Sequence, residues 1–380
     1  MTPKTEAELA EAVRSSKTPL AVVGGGTRGL ALQGTVLSTG GLSGISLYEP
    51  GALTLVAQAG TPIEEINAAL AQENQRLAFE PMDHRALLGT TGAPTLGGVI
   101  AANISGPRRI QAGAARDFAL GVRFVDGEGR IVKNGGRVMK NVTGYDLVKL
   151  MCGSFGTLGV LTEVALKVLP IPETQATLML RNLDDADAVT AMAAALGSPF
   201  EVSGAAHCAK VHKDGPVTCL RVEGFEASVT YRIERLKTLL SAPGREMTVA
   251  NAEMSDWLWQ SVRDVEMMTD LDGDVWRVSC KPSDAPALAQ KSRASGWYFD
   301  WGGGLMWVRV SEGADLRAAL GAFDGHATLV RASAATRAKL GSFHPEARGV
   351  AVLSEGLRRK FDPRGILNTG LMRQNMEETA

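Results

Sequence analysis

Paired thiols are scarce in this 380-residue chain, and their scarcity excludes several chemistries. Its four cysteines, Cys152, Cys208, Cys219 and Cys280, form no CxxC pair, so neither a structural zinc site nor an iron–sulfur cluster is indicated. Histidine is equally sparse. His207 and His212 stand five apart, His326 and His344 are isolated, and no carboxylate cluster joins them at metal-ligand spacing, so no metal site is expected. No excess of positive charge exists either: 40 Lys and Arg face 41 Asp and Glu, a balance without the basic face that nucleic acid requires. The N-terminal MTPKTEAELAEAVRSSK has acidic residues and no apolar core, so no secretory signal is expected and the cysteines read as reduced cytoplasmic thiols. One uncharged run, Ala86 to Pro107, is 22 residues long and could be taken for a membrane span. Its five glycines and two prolines exclude that reading, because irregular backbone in a bilayer leaves N–H and C=O groups unsatisfied.

What is plentiful is glycine, 43 residues of it, in a chain whose 45% hydrophobic content suits a soluble two-domain protein. The uncharged run reads as a buried loop that lets backbone approach a large ligand, since glycine removes the Cβ and tolerates positive φ. Gly97 and Gly98 lead into VIAANI, so their N–H groups near a helix start could face an anion. Taken singly, each glycine pair is more simply a tight turn in an α/β core. A strand over Leu20 to Val23 runs into Gly24, Gly26 and Gly29, which formally satisfy G-x-G-x-x-G. A Rossmann unit would continue as a helix. Here LALQGTVLSTGG follows, and its glycines break any helical period, leaving strand, anion-cradling loop and strand.

Further elements follow in order. Glu6 to Ser16 has helical periodicity, Leu53 to Ala59 reads as a strand, and Thr61, Pro62 and Glu64 read as cap, first helical position and capping-box partner. DGEG joins strands Phe118 to Val125 and Arg130 to Lys133, and Leu158 to Leu169 alternates as a long strand. Pro170 and Pro172 mark a domain boundary. Beyond it, two successive βαββαβ-like passes predict one antiparallel sheet with helices on one face, the second pass including a Ser283-capped helix. The tryptophans of DWLWQSVRDVE, between the passes, read as core or interface anchors. FDPRGILNTG near the end reads as a clasp onto the first domain. The expected division is 1–170, 171–335 and 336–380.

The ordered set VVGGGT, TLGGVIAAN, TGYDLVKLMCGSFGTLGVLTE and FDPRGILNTG resembles the FAD-binding fold of the vanillyl-alcohol oxidase and p-cresol methylhydroxylase (PCMH) superfamily. AANISGPRR, GAARDFALGVRF, WRVSCKPSDAP and DWGGGLMW extend the similarity over nearly the full length to the E-subunit family of bacterial glycolate oxidases. The implied fold class is α+β: a PCMH-type FAD-binding domain of two α+β subdomains with an antiparallel-sheet cap of ferredoxin-like character.

The resemblance implies that Gly24, Gly25, Gly26 and Thr27 bind the FAD pyrophosphate. Thr95, Gly97, Gly98 and Asn103 would approach the pyrophosphate and ring system, with Ser105 and Gly106 continuing that wall. Lys140, Asn141, Gly144 and Tyr145 would lie near the isoalloxazine, and Gly159 and Val160 beside the adenine half. Where relatives attach flavin covalently, this first loop carries Thr27 and Arg28, so FAD is expected to be non-covalent. Oxidation of a 2-hydroxy acid needs a base for the hydroxyl proton and cations for the carboxylate. Arg108, Arg109, Lys140 and Arg277 are the available cations, and Tyr145, His84 and His326 the available bases. Lys140, Tyr145, Arg277 and His326 form the expected catalytic set. Related dehydrogenases that act alone carry H-x-G-D-G-N-x-H and a later E-H-G, whereas this chain has DGHATLVRAS and no E-H-G. Two functions follow from the resemblance: a catalytic flavoprotein of a glycolate-oxidising complex, or an FAD-carrying electron-transfer or assembly subunit. Either would work with a paralogous FAD subunit and an iron–sulfur subunit, in the cytoplasm, reaching the inner membrane only through partners. A MurB-like NADPH reductase shares the flavin fold but not the second-domain matches.

Overall fold

A computed structural model describes residues 1–137, 144–209 and 215–372. The first unit opens with α1 (Glu6–Ser15), β1 (Leu20–Val23), β2 (Thr35–Ser38), β3 (Ile45–Glu49), β4 (Thr54–Gln58), α2 (Ile63–Gln72) and β5 (Gln75–Arg76). Four short helices follow its glycine-rich middle: α3 (Arg85–Leu88), α4 (Leu96–Ala101), α5 (Arg109–Ala112) and α6 (Ala115–Phe118). The unit closes with β6 (Ala119–Val125), β7 (Ile131–Gly135), α7 (Leu147–Met151), β8 (Val160–Lys167) and β9 (Leu169–Pro170). β1 and β2 form a small parallel pair, and a five-stranded antiparallel sheet runs β3-β4-β8-β6-β7. Leu55, Ile66, Ile100, Phe124 and Val164 are among the fully buried residues of its core. The expected capping box at Thr61 does not form. The Thr61 hydroxyl instead donates to Gly44 O and accepts from Gly44 N at 3.1 and 2.9 Å, and Pro62 occupies the cap position without a side-chain bond. The long-range contact outcompetes the local one.

The cap begins with β10 (Thr174–Arg181), α8 (Asp185–Leu196), β11 (Gly204–Cys208), β12 (Val217–Gly224), α9 (Glu226–Leu239) and β13 (Met247–Ala250). After α10 (Ala252–Asp264), a second pass comprises β14 (Asp274–Cys280), α11 (Ala285–Lys291), β15 (Gly296–Asp300), β16 (Leu305–Val310), α12 (Leu316–Leu320) and β17 (Gly325–Arg331). The two βαββαβ passes make one eight-stranded antiparallel sheet, β13-β10-β12-β11-β15-β16-β14-β17, joined through β11 and β15. A 3-10 turn over Pro282–Asp284 precedes α11, so Ser283 does not cap that helix. Alternate strand residues serve opposite faces. Phe299, Met306 and Val278 pack beneath α8, α9, α11 and α12, while Tyr298, Trp307 and Cys208 face the first unit with Met82, Leu87 and Trp259.

Of the tryptophans in α10, Trp259 is buried and bonds Thr177 Oγ1, whereas Trp257 is exposed. α13 (Ala334–Leu340) stays with the cap, its Arg337 guanidinium donating to the Leu329 and Val330 carbonyls, so a boundary at 335 falls inside a cap helix. After α14 (Arg348–Phe361) the chain returns to the first unit. Leu20 N donates to Ile366 O at 2.7 Å, Leu20 and Leu367 form a parallel bridge, and Val22 N donates to Asn368 Oδ1 at 2.7 Å.

Candidate functional site

Two contiguous clefts lie along the first unit and between it and the cap. The first holds about 1010 Å³ of open space, and Gly24, Gly25, Gly26, Thr27, Thr95, Gly97, Gly98, Gly159, Val160 and Asn368 are in its wall. The second holds about 1410 Å³ and receives Asn103, Ser105, Gly106, Arg109, Arg277, Asp300 and His326. Arg28, Met82, His84 and Phe155 line both. A glycine-lined cleft that runs on into a cationic one suits a long anionic cofactor with substrate space beyond it.

The first loop is shaped by close backbone approach. A Cβ on Gly25 would lie 1.6 Å from Ala93 O, and one on Gly24 would lie 2.3 Å from Thr95 Oγ1. Beyond these contacts the N–H groups of Gly25, Gly26, Thr27 and Arg28 have no acceptor among the described residues. Consecutive free amides beside a guanidinium suit a diphosphate. The second loop differs from its expected role. Leu96 N donates to Thr61 O, Gly97 N to Ala59 O at 2.7 Å, and Gly98 N to Thr95 Oγ1, so these amides are spent within the protein. Gly97 is glycine because a Cβ would sit 2.8 Å from that of Ala59; α4 thereby packs tightly, leaving room in the cleft.

In the second cleft, cap register places the chemistry. Asp300 pairs with Leu305, Leu305 with Ser279, and Ser279 with His326; in the next row Tyr298 pairs with Trp307, Trp307 with Arg277, and Arg277 with Thr328. Both rows share the face toward the first unit. Arg109 and Arg277 lie 4.5 and 5.0 Å from the Trp301 ring centroid. Trp301 Nε1–H donates to Gly106 O at 3.0 Å, tying cap to first unit. Trp301 has φ 53°, followed by Gly302 and Gly303 at 67° and 104°, and Asp300 Oδ1 secures this turn by accepting the Trp301 N–H.

Arg28, Arg109 and Arg277 have no carboxylate partner among the described residues. Burial, then the Arg277 charge, lowers Arg28 to about 9. Burial, then Arg109, lowers Arg277 to about 10, so both remain cationic at neutral pH. Burial, then Arg28, pushes His84 well below its usual range, and burial, then Arg277, lowers the His326 ring at the exposed cleft mouth. Burial raises Asp300 to about 7.

Other expected residues lie elsewhere. Tyr145 is 89% exposed and, like Gly144, lines neither cleft; its carbonyl is held by Asn134 Nδ2. Lys140 and Asn141 lie outside the described residues. Arg108 is no substrate cation: it is buried in ion pairs with Glu223 and Glu80, both at 2.9 Å. Asn103 and Ser105 have wall roles, Asn103 Oδ1 accepting Arg116 N and Ser105 Oγ accepting Ala115 N. Asp300, in the DWGGG run where a carboxylate precedes three glycines, also lines the second cleft and is not among the expected site residues.

This architecture is the PCMH-type FAD-binding fold. Residues 1–135 match the family described as an FAD binding domain. The chain superposes on alkyldihydroxyacetonephosphate synthase with a TM-score of 0.70 at 15% identity, covering 98% of this chain and 77% of that one, a likeness of fold. It is 34% identical over 363 residues to the glycolate oxidase subunit GlcE of Escherichia coli (strain K12), covering 94% of this chain and 93% of that one. A 94-residue stretch, 24% of this chain and 20% of the relative, is 44% identical to the glycolate oxidase subunit GlcD of Bacillus subtilis (strain 168). The chain belongs to the GlcE family of glycolate oxidase subunits.

Proposed function

We propose that this chain binds FAD non-covalently and oxidises a short 2-hydroxy acid such as glycolate or D-lactate, as one subunit of a complex with a paralogous flavoprotein and an iron–sulfur protein. The observation that carries the reading is the set of unpaired guanidiniums in a cleft continuous with the glycine-lined one. The Gly25 to Arg28 amides and Arg28 hold the diphosphate, and Gly24, Thr95, Gly97, Gly98, Gly159 and Val160 wall the cofactor. Bound FAD supplies a two-electron acceptor for the hydrogen on the substrate's α-carbon. Arg109 and Arg277 hold the acid's carboxylate, their planar forks stacked on Trp301. His326, uncharged near neutral pH, lines the exposed side of the same cleft. Thr27 and Arg28 in the first loop support a dissociable cofactor; among described residues His84 is the one histidine lining that cleft, and no cysteine does.

Anaerobic visible spectra of the purified chain, before and after glycolate or D-lactate, test the reading. Bleaching of the flavin band is expected. A band that persists alone and with partner subunits present would turn the assignment toward electron transfer or assembly. Flavin retained on acid-precipitated protein, and lost from His84→Ala, would overturn non-covalent binding.

A further inference from the structure

We propose that Asp300 is the catalytic proton acceptor for the substrate hydroxyl, a role that rests on the oxidation reading above. Asp300 ends β15 as a residue only 3% exposed, in the wall of the second cleft. Its Oδ1 is occupied by the Trp301 N–H at 2.7 Å, and no described residue donates to Oδ2. The neighbouring buried carboxylate, Glu80, is different: Arg221 contacts it through both nitrogens at 2.9 Å, and Arg108 pairs with it as well. A fold that ties up Glu80 so completely leaves Asp300 without an ion pair, within range of the Arg277 charge. Register puts Asp300 and Arg277 on the same sheet face two strands apart, and the Arg277 guanidinium reaches back to 5.0 Å from the ring of Trp301, the next residue after Asp300, so an acid held by Arg277 would present its α-hydroxyl on the Asp300 side.

The groups facing Asp300 are Glu80, Arg221, Arg277, Tyr298 and Cys208. Burial, followed by the backbone N–H and the Glu80 charge, balances these near neutrality, where a general base is most effective. In the step, the substrate O–H bond breaks and its proton passes to Asp300 Oδ2. The α-C–H bond would break with its hydrogen and both bonding electrons passing to bound FAD, and a C=O bond would form. The acid is oxidised by two electrons and the flavin reduced by two.

Asp300→Asn is the diagnostic variant, because the amide oxygen still accepts the Trp301 N–H and keeps the turn. In the full chain loaded with FAD, anaerobic flavin reduction by glycolate or D-lactate should slow by about 10²–10⁴-fold and lose its inflection near neutral pH. Titration with oxamate, a non-oxidisable acid read by the flavin spectrum, gives a second measure. Wild-type binding should weaken as pH rises through the Asp300 ionisation, because a carboxylate then faces the ligand, whereas the variant should be flat there. If wild type is reduced and Asp300→Asn is reduced within threefold of it with the inflection intact, the Asp300 role falls while the oxidation reading stands. If no 2-hydroxy acid reduces wild type and oxamate binding is independent of pH in both proteins, both fall.

Discussion

Neighbours in sequence, Arg108 and Arg109 serve opposite ends of the molecule's electrostatics. Arg108 is buried between Glu80 and Glu223, while Arg109, one position on at the start of α5, stacks on Trp301 in the second cleft. Removing them should therefore separate stability from binding. Arg109→Met should leave thermal unfolding nearly unchanged and weaken oxamate by about tenfold to a hundredfold, the worth of one or two charged hydrogen bonds. Arg108→Met should destabilise by about 3–5 kcal/mol, because it takes one buried cation from both Glu80 and Glu223. Equal losses of oxamate affinity from both variants would refute the division. None of this was legible in PRR as a string, since the acids that claim Arg108 lie 28 and 115 positions away. Asp300 escaped for a related reason: its place on one cleft face with Arg277 comes from strand register across β15, β16 and β14.

At the scale of elements, the C-terminal clasp completes the first cleft. Asn368, with φ 43° and 3% exposure, accepts from Val22 N and donates to Phe155 O at 2.8 Å, so one side chain joins β1, the loop before β8 and the chain's return. Arg364 adds bonds to the Val13 and Gly127 carbonyls. Asn368→Ala should cost about 1–3 kcal/mol by leaving buried backbone groups unpaired. Because Asn368 also lines the cleft, flavin should be lost before the chain unfolds. Urea titration followed at the flavin band and by far-ultraviolet circular dichroism tests this, and coincident transitions equal to wild type would contradict it. FDPRGILNTG announced this return through its turn chemistry, and the two passes of the cap were legible because their helices and strands carry strong period 3.6 and period 2 patterns. The exposed edge strand β13 was not, with only four residues and little apolar pattern. The capping box at Thr61 misled because a buried hydroxyl found a tertiary partner in Gly44.

Across the whole molecule, first unit and cap are locked by a buried ionic network: Arg76, Glu80 and Arg108 from the first unit with Arg221 and Glu223 from the cap. Burial opposes ionisation of both carboxyls, but Arg221 and then Arg108 overcome it, holding Glu80 below its usual range and Glu223 far below. A depressed carboxyl contributes stability that is complete above its unfolded pKa, about 4.3 for Glu, and is lost as pH falls from there toward the folded value. Asp300 has the opposite sign. Its raised pKa stabilises the fold below the unfolded value of about 3.9 and loses that contribution as pH rises toward about 7. Glu223→Gln should therefore destabilise by about 3–5 kcal/mol at neutral pH, leaving Arg76, Arg108 and Arg221 undercompensated. The gap from wild type should narrow as pH falls below about 4.3. Asp300→Asn should instead flatten the decline of stability between about pH 4 and 7, since asparagine has no proton to release. Urea midpoints of the three proteins at several pH values across this span decide the matter. A Glu223→Gln gap of constant size would show that the lock between the domains is held by shape alone, and an unchanged slope in Asp300→Asn would show that Asp300 ionises as freely in the fold as in the open chain.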